Sequence, residues 1–182
     1  MSDVATVEPP VEPVVRLGQE SDLPRLQVLD AWPKEAAWLR MIANQEVVVL
    51  EVDHTVVGVA HYSVLWTTVP FLNLMVIEPE HHGFGYSRML LGCLIEHLRA
   101  QGFVALLSSS QTNEPEPQAW HMHMGFKSNG IIENIADDGV GELVFRLELA
   151  SWNEEDARVK LTDPGIQRAA SEASDAQLEL ER

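Results

Sequence analysis

Cysteine is almost absent from this chain: its 182 residues hold one, Cys93. A single thiol excludes an internal disulfide framework. Cys93 falls within helical apolar spacing, where a cysteine reads as a small core residue and not as a nucleophile. Basic residues are scarce too. Twelve Lys and Arg face 28 Asp and Glu, a formal net charge of −16. An acidic surface repels phosphate backbones and anionic lipid, which argues against nucleic acid or a membrane as partner. It serves solubility and also suits a cationic partner such as an amine. No apolar run approaches the length of a membrane span, and the first residues lack the basic-then-apolar order of a secretory signal. The expected compartment is therefore the cytosol. Internal repeats are missing. No metal centre is expected either. His81 with His82, and His121 with His123, stand at spacings that do not share a helix face, and no second cysteine or Asp-rich loop completes a ligand set.

What is present is enough for one domain of ordinary size, at 46% hydrophobic and 22% charged residues. Residues 1–13 are acidic, with Pro9, Pro10 and Pro13, and read as a disordered leader. Residues 14–150 carry the folded pattern. Residues 151–182 turn polar and read as a mostly disordered tail. Within the domain, Val14 to Leu17 is a short strand. Ser21 or Asp22 caps a first helix whose apolar face is Leu23, Leu26, Leu29 and Trp32, and a second helix runs from Lys34 to about Asn44. Val47 to Val52, Thr55 to about Trp66 and Phe71 to Ile77 are three strands with short links, hence an antiparallel meander. The last of them is nearly all apolar, as in a strand buried on both faces.

The stretch from Val76 to Leu91 reads as a strand end, a turn with Gly83 and Gly85, and a helix start. Pro79 cannot donate to a sheet ladder. Leu90, Leu91, Leu94, Ile95 and Leu98 take helical spacing, and Gly102 is a stop. A glycine turn that opens a helix leaves several backbone N–H groups aimed one way, and with the helix dipole they form an anion site. Two phosphate motifs fail here. A P-loop needs Lys then Ser or Thr after its last glycine, and Gly85 is followed by Tyr86 and Ser87. The dinucleotide fingerprint needs a third glycine, and position 88 is Arg. After this helix, Val104 to Ser108 is a strand parallel to its neighbour. Ser109 to Gln118 is a polar link into a short helix with Trp120 and Met124. Ile131 and Ile132 suggest a strand, Asp137-Asp138-Gly139 a turn, and Glu142 to Leu149 a strand with near-strict alternation.

The run Ile77-Glu78-Pro79-Glu80-His81-His82-Gly83-Phe84-Gly85-Tyr86-Ser87 resembles the acetyl-CoA-binding motif of the GNAT superfamily of N-acetyltransferases. That motif places Arg or Gln, two residues, Gly, one residue, then Gly or Ala after a strand end. Its slots here are His82, Gly85 and Ser87, of which Gly85 matches strictly. Ala119 to Phe126 resembles the superfamily's second motif, an aromatic helix ending in Gly-Phe. The resemblance implies an α/β (α+β) fold: a central mixed, mostly antiparallel twisted sheet flanked by helices. It implies that the central strand and the next one splay apart to hold the pantetheine arm. Acetyl-CoA would then be co-substrate, bound by Met75, Val76, Ile77, His82, Gly83, Phe84, Gly85, Tyr86, Ser87 and Arg88. Asn113 would reach a pantetheine amide. The first helical pair would form one wall of the acceptor site, with Trp32 and Trp38 lining it.

Transfer of an acetyl group to an amine needs alignment of the two reactants, loss of the amine's proton, a donor for the developing oxyanion and a proton for the leaving thiolate. A backbone N–H near Met75 is the oxyanion donor that the resemblance implies. Relatives carry a Tyr, as the thiolate's acid, four residues before the second motif's Gly, and His121 holds that slot. Asn73 is the one polar residue inside the central strand and is expected to face the site. His61 and Tyr62 are further candidates for a base. The reading is an acetyl-CoA-dependent N-acyltransferase acting on a small-molecule or protein amine by direct transfer in a ternary complex. The other reading is a GNAT-like protein that binds acyl-CoA without turnover, as a sensor or interaction module. The sequence admits a homodimer without specifying one.

Overall fold

A computed structural model describes residues 12–135 and 139–153. Seven strands form one sheet in the order β1-β2-β3-β4-β5-β7-β6. They are β1 (Val14–Leu17), β2 (Val47–Val52), β3 (Thr55–Leu65), β4 (Val69–Ile77), β5 (Ala105–Gln111), β6 (Lys127–Ile132) and β7 (Glu142–Glu148). Neighbours run antiparallel except β4 and β5. Four helices flank the sheet: α1 (Leu23–Leu29), α2 (Glu35–Ala43), α3 (Tyr86–Ala100) and α4 (Pro115–His123). This is the expected mixed, mostly antiparallel sheet with flanking helices. Among the described residues, no helix is long and apolar enough to cross a membrane.

Two apolar clusters hold the layers. α3 lays Leu90, Leu91, Leu94, Ile95 and Leu98, all fully buried, on the face of the sheet that carries Val48, Leu50, Val57, Tyr62, Leu72 and Ile77. Burial of each such side chain is worth roughly 1.5–3 kcal/mol, so packing rather than helix propensity fixes α3. α1 and α2 cover Val47, Val49, Val56 and Val59 on the opposite face, through Leu26, Trp38 and Met41.

The second helix falls where expected, but the first ends short of Trp32, which was expected on its apolar face. α1 ends at Leu29. The Asp30 carboxylate accepts the Trp32 amide at 3.0 Å, which turns the chain, and Trp32 is left 91% exposed while Trp38 is fully buried. Asp22 precedes α1 but its side chain does not cap it; it accepts the Gln19 amide at 2.8 Å and the Arg16 guanidinium at 2.7 and 2.9 Å. β5 also outruns its expected end. Ser109 to Gln111 continue the strand because β7 supplies a partner for every residue from Ala105 to Gln111. At the far end, the Trp152 indole donates to the Met124 carbonyl at 3.0 Å, and Arg99 donates to the carbonyls of Leu149 and Trp152. Packing therefore continues to Trp152. The leader up to residue 11, Asp137 and Asp138 of the expected turn, and the tail from residue 154 lie outside the described residues.

β4 is not buried on both faces. Asn73 is exposed, and Leu74, Met75 and Val76 are half-buried. Two causes are visible in the pairing. Opposite β3, His61 pairs with Leu74 and Tyr62 with Leu72, so Asn73 is an extra residue, a bulge. Opposite β5, pairing is confined to Phe71 with Leu107 and Leu72 with Ser108. Beyond Leu72 the two strands part, and β4 faces a gap.

Candidate active site

The gap is a cleft of about 430 Å³. Its walls are β4 from Leu72 to Met75 with Ile77, the turn carrying His81, His82, Gly83, Gly85, Tyr86 and Ser87, the β5 serines 108 to 110, and Glu114, Pro117, Trp120 and His121 around α4. Local chemistry builds each wall. Pro79 ends β4 and opens a short 3-10 turn. Gly83 and Gly85 then take φ of +83° and +80°, the left-handed region, and a Cβ on either would meet nothing within 4 Å. Glycine is needed here for the backbone turn rather than for space. Gly85 caps α3: its carbonyl accepts the amides of Arg88 and Met89, at 3.1 and 3.3 Å. The amides from Gly83 to Ser87 precede those first helical bonds and sit at the positive end of the helix dipole. The His82 ring donates to the Ile77 carbonyl at 2.8 Å and so braces the turn against the strand end. Arg25 pairs with Glu78 and ties α1 to the same place.

The closed end of the cleft is built differently. His121 is buried. It stacks on Phe145 with ring centroids 4.4 Å apart and meets Phe126 edge-on. Its Nδ1–H donates to the Pro117 carbonyl at 2.7 Å, and its Nε2 lies 2.8 Å from the Ser108 hydroxyl. Burial pushes the His121 pKa below the ordinary imidazole value, and the Pro117 carbonyl only partly opposes this. The ring is therefore held neutral, with its one proton on Nδ1 and a bare Nε2 turned to Ser108.

The cleft thus brings together ten expected residues or neighbours in one space: Asn73, Met75, Ile77, His82, Gly83, Gly85, Tyr86, Ser87 and His121, with Trp120 beside them. Others stand apart from its lining. Val76 packs on the opposite face with the α1–α2 cluster. Phe84 is exposed and stacks on Tyr86. Arg88 is buried and donates to His123 Nε2 at 3.2 Å, which joins the start of α3 to the end of α4. Asn113 is exposed, just before α4. Asn73 accepts the Ser63 hydroxyl at 3.0 Å. His61 is buried against Trp38 and its Nε2 meets Asp30 at 3.1 Å, away from the cleft lining. Cys93 is half-buried, and burial pushes its thiol pKa up. Glu78, Glu80 and His81 each bring one ligand atom within 4.8 Å of the others, with Glu78 already paired to Arg25.

Sequence reasoning passed over Ser108, Ser110, Glu114 and Pro117. Their signal was the alternation of β5, in which Ser108 and Ser110 point inward and Ser109 does not. It is masked when the strand is read as ending at Ser108 and Ser109 onward as a link.

The family model described as Acetyltransferase (GNAT) family matches residues 16–126. No curated protein sequence matches this chain. Among solved structures, a GNAT-family acetyltransferase from Bacillus cereus superposes with a TM-score of 0.64 at 22% identity, over 76% of this chain and 98% of its own. The ribosomal-protein-alanine N-acetyltransferase of Brucella melitensis gives 0.65 at 21%, over 74% and 99%. The yncA acetyltransferase of Salmonella typhimurium, solved with its cofactor acetyl-CoA, gives 0.63 at 17%, over 76% and 95%.

Proposed function

The chain belongs to the GNAT acetyltransferase family, and on that premise we propose that it moves an acetyl group from acetyl-CoA to a primary amine by direct transfer in a ternary complex. The observation that carries this reading is the end of β4–β5 pairing at Leu72 and Ser108, which opens a cleft running from a buried histidine to a glycine turn. Each end suits one end of the cofactor. The pyrophosphate lies on the amides from Gly83 to Ser87, ahead of the Arg88 amide that Gly85 holds, where the charge meets the turn's N–H groups and the α3 dipole. The pantetheine follows the unpaired edge of β4 past Met75 and Ile77. The thioester then reaches the closed end, beside Asn73, Ser108 and His121. An N–H of unpaired β4 near Met75 serves the oxyanion.

The acceptor approaches over Asn73, on the bulge. A cationic amine suits a chain of net charge −16. A protein amine belongs to the same class, since the Brucella relative is named for ribosomal-protein alanine.

Thermal melts with acetyl-CoA, CoA and ATP test the cofactor. At about 100 times its Kd, acetyl-CoA should add roughly 2.7 kcal/mol of stability, CoA should also shift the melt, and ATP should not. No shift with either thioester or thiol sinks the reading. Gly85→Val sharpens it: a side chain at φ +80° strains the turn, so the shift with acetyl-CoA should vanish while the variant still melts cooperatively. Amine-dependent thiol release from a panel of polyamines, amino acids and peptides then identifies the acceptor.

A further inference from the structure

His121 fills the slot where the family resemblance implies a phenol, and no carboxylate lines β4 within the cleft. The proton that must leave the amine and the proton that must reach the thiolate therefore need a route made from other groups. We propose that Ser108 and His121 form one two-way proton shuttle that serves as both base and acid, with Ser108 the catalytic residue nearest the reacting atoms. This rests on the acetyl-CoA reading above.

Nδ1–H of His121 is committed to the Pro117 carbonyl at 2.7 Å, so the neutral ring offers only a lone pair at Nε2. Ser108 has one hydroxyl proton and two acceptors for it, Nε2 at 2.8 Å and the Leu72 carbonyl at 3.2 Å. A neutral imidazole in this tautomer cannot act first as an acid. It can act first as a base, with the hydroxyl as its wire. The Pro117 carbonyl orients the ring and steadies the imidazolium that forms, and Phe145 and Phe126 hold its plane.

Ser108 is the β5 member of the last β4–β5 pair, so its hydroxyl stands at the vertex of the gap, one residue along β4 from the bulge at Asn73. Both Ser108 and His121 line the cleft. The titratable groups that share this lining are His81, His82 and Tyr86 on the turn and Glu114 before α4. β5 meets the ring with Ser108 and β7 with Phe145; Arg88 and His123 pair with each other beyond it.

The step balances without another reactant. The neutral amine attacks the thioester carbonyl and the C–N bond forms. As nitrogen becomes positive, its proton passes to Ser108 Oγ while the hydroxyl proton passes to His121 Nε2. The C–S bond then breaks, Nε2 returns its proton to Oγ, and the hydroxyl proton goes to sulfur. The products are the amide and free CoA, with Ser108 and His121 as they began.

The test uses the full chain, acetyl-CoA, and hydroxylamine as a small amine that needs no acceptor pocket, with thiol release as readout. Ser108→Ala should lower kcat roughly 10²-fold at unchanged KM for acetyl-CoA, and Ser108→Thr should retain most of it. In the native chain kcat/KM, calculated per unprotonated hydroxylamine because that amine itself protonates in the same range, should fall on the acid side, as His121 protonates, at a pH below the ordinary imidazole value. That limb should disappear in Ser108→Ala. An unchanged kcat, an unchanged acid limb, or no release by the native chain above background overturns the shuttle. Nitrogen-15 spectra of the native chain at neutral pH give a check that needs no variant: His121 should be neutral with its proton on Nδ1, and a proton on Nε2 overturns the proposal. An acetyl-CoA melt shift that survives in Ser108→Ala keeps the cofactor reading standing if the shuttle fails; a native chain without that shift removes the reading itself.

Discussion

Two histidines are buried in this molecule, and the one beside a carboxylate is not the one that lines the cleft. His61 meets a carboxylate, Asp30, at 3.1 Å, the arrangement of a base and its orienting acid. His121 has only a backbone carbonyl and a serine hydroxyl. Burial lowers the pKa of both, against a weaker opposing effect from Asp30 in one case and from Pro117 in the other. What separates them is the space they face. His61 lies under α1 and α2 against Trp38, outside the cleft lining, while His121 closes the cleft. Burial and a polar partner make a satisfied side chain; access to a ligand-sized space makes a candidate for chemistry.

The comparison breaks most sharply with His61→Leu. That change removes the partner of Oδ2 on the buried Asp30 carboxylate, whose Oδ1 keeps the Trp32 amide, and loss of a hydrogen bond to a buried charged group costs about 1.5–3 kcal/mol. Urea unfolding should show it, with the rate per folded molecule unchanged. His121→Leu should cost less, about 1–2 kcal/mol, because the Ser108 hydroxyl can still donate to Leu72, and it should lose activity instead. Equal destabilisation by the two changes would erase the distinction.

A smaller effect follows from protonation. Each ring has a folded pKa below 6.5, so the folded chain binds fewer protons than the unfolded chain just below that pH. Their contribution to stability is intact above pH 6.5, declines as pH falls below it, and is gone below the folded pKa. Removal of either histidine should flatten that part of the stability profile, which denaturation across pH 5 to 7 would read. The smallest effect belongs to Trp32→Ala. At 91% exposure it should shift stability by no more than about 0.5 kcal/mol, against about 3–5 kcal/mol for Trp38→Ala at a fully buried site. A large loss from Trp32→Ala would mean that the α1–α2 turn is packed in solution.

Local rules were readable from the residues. Val47–Val52 is the strand its β-branched run suggests, and α3 begins at Tyr86 after the glycine turn because turn chemistry and helical spacing act within a few residues. What failed to show was set at a distance. Ser109 and Ser110 look like a link until β7, some thirty residues later in the chain, pairs with them. Trp32 and Trp38 look alike until the Asp30 side chain turns the chain just before Trp32. The bulge at Asn73 depends on β3, and the parting of β4 from β5 on an absence of pairing that no spacing encodes. The Ser108–His121 contact joins both kinds of distance, which is why the His121 slot was legible and its partner was not.

The parting of β4 and β5 has a consequence for self-association. Exposed strand edges recruit other chains, and sheets normally carry them at their rims. Here β1 and β6 form the rims, but β4 beyond Leu72 adds a third edge in the middle of the sheet. That inner edge is guarded by its surroundings: α4 stands over it with Trp120 and His121, and the glycine turn crosses its end. A slender extended molecule can reach those unpaired backbone groups, and a second sheet cannot. An edge set inside a cleft favours a small guest over the flank of another sheet.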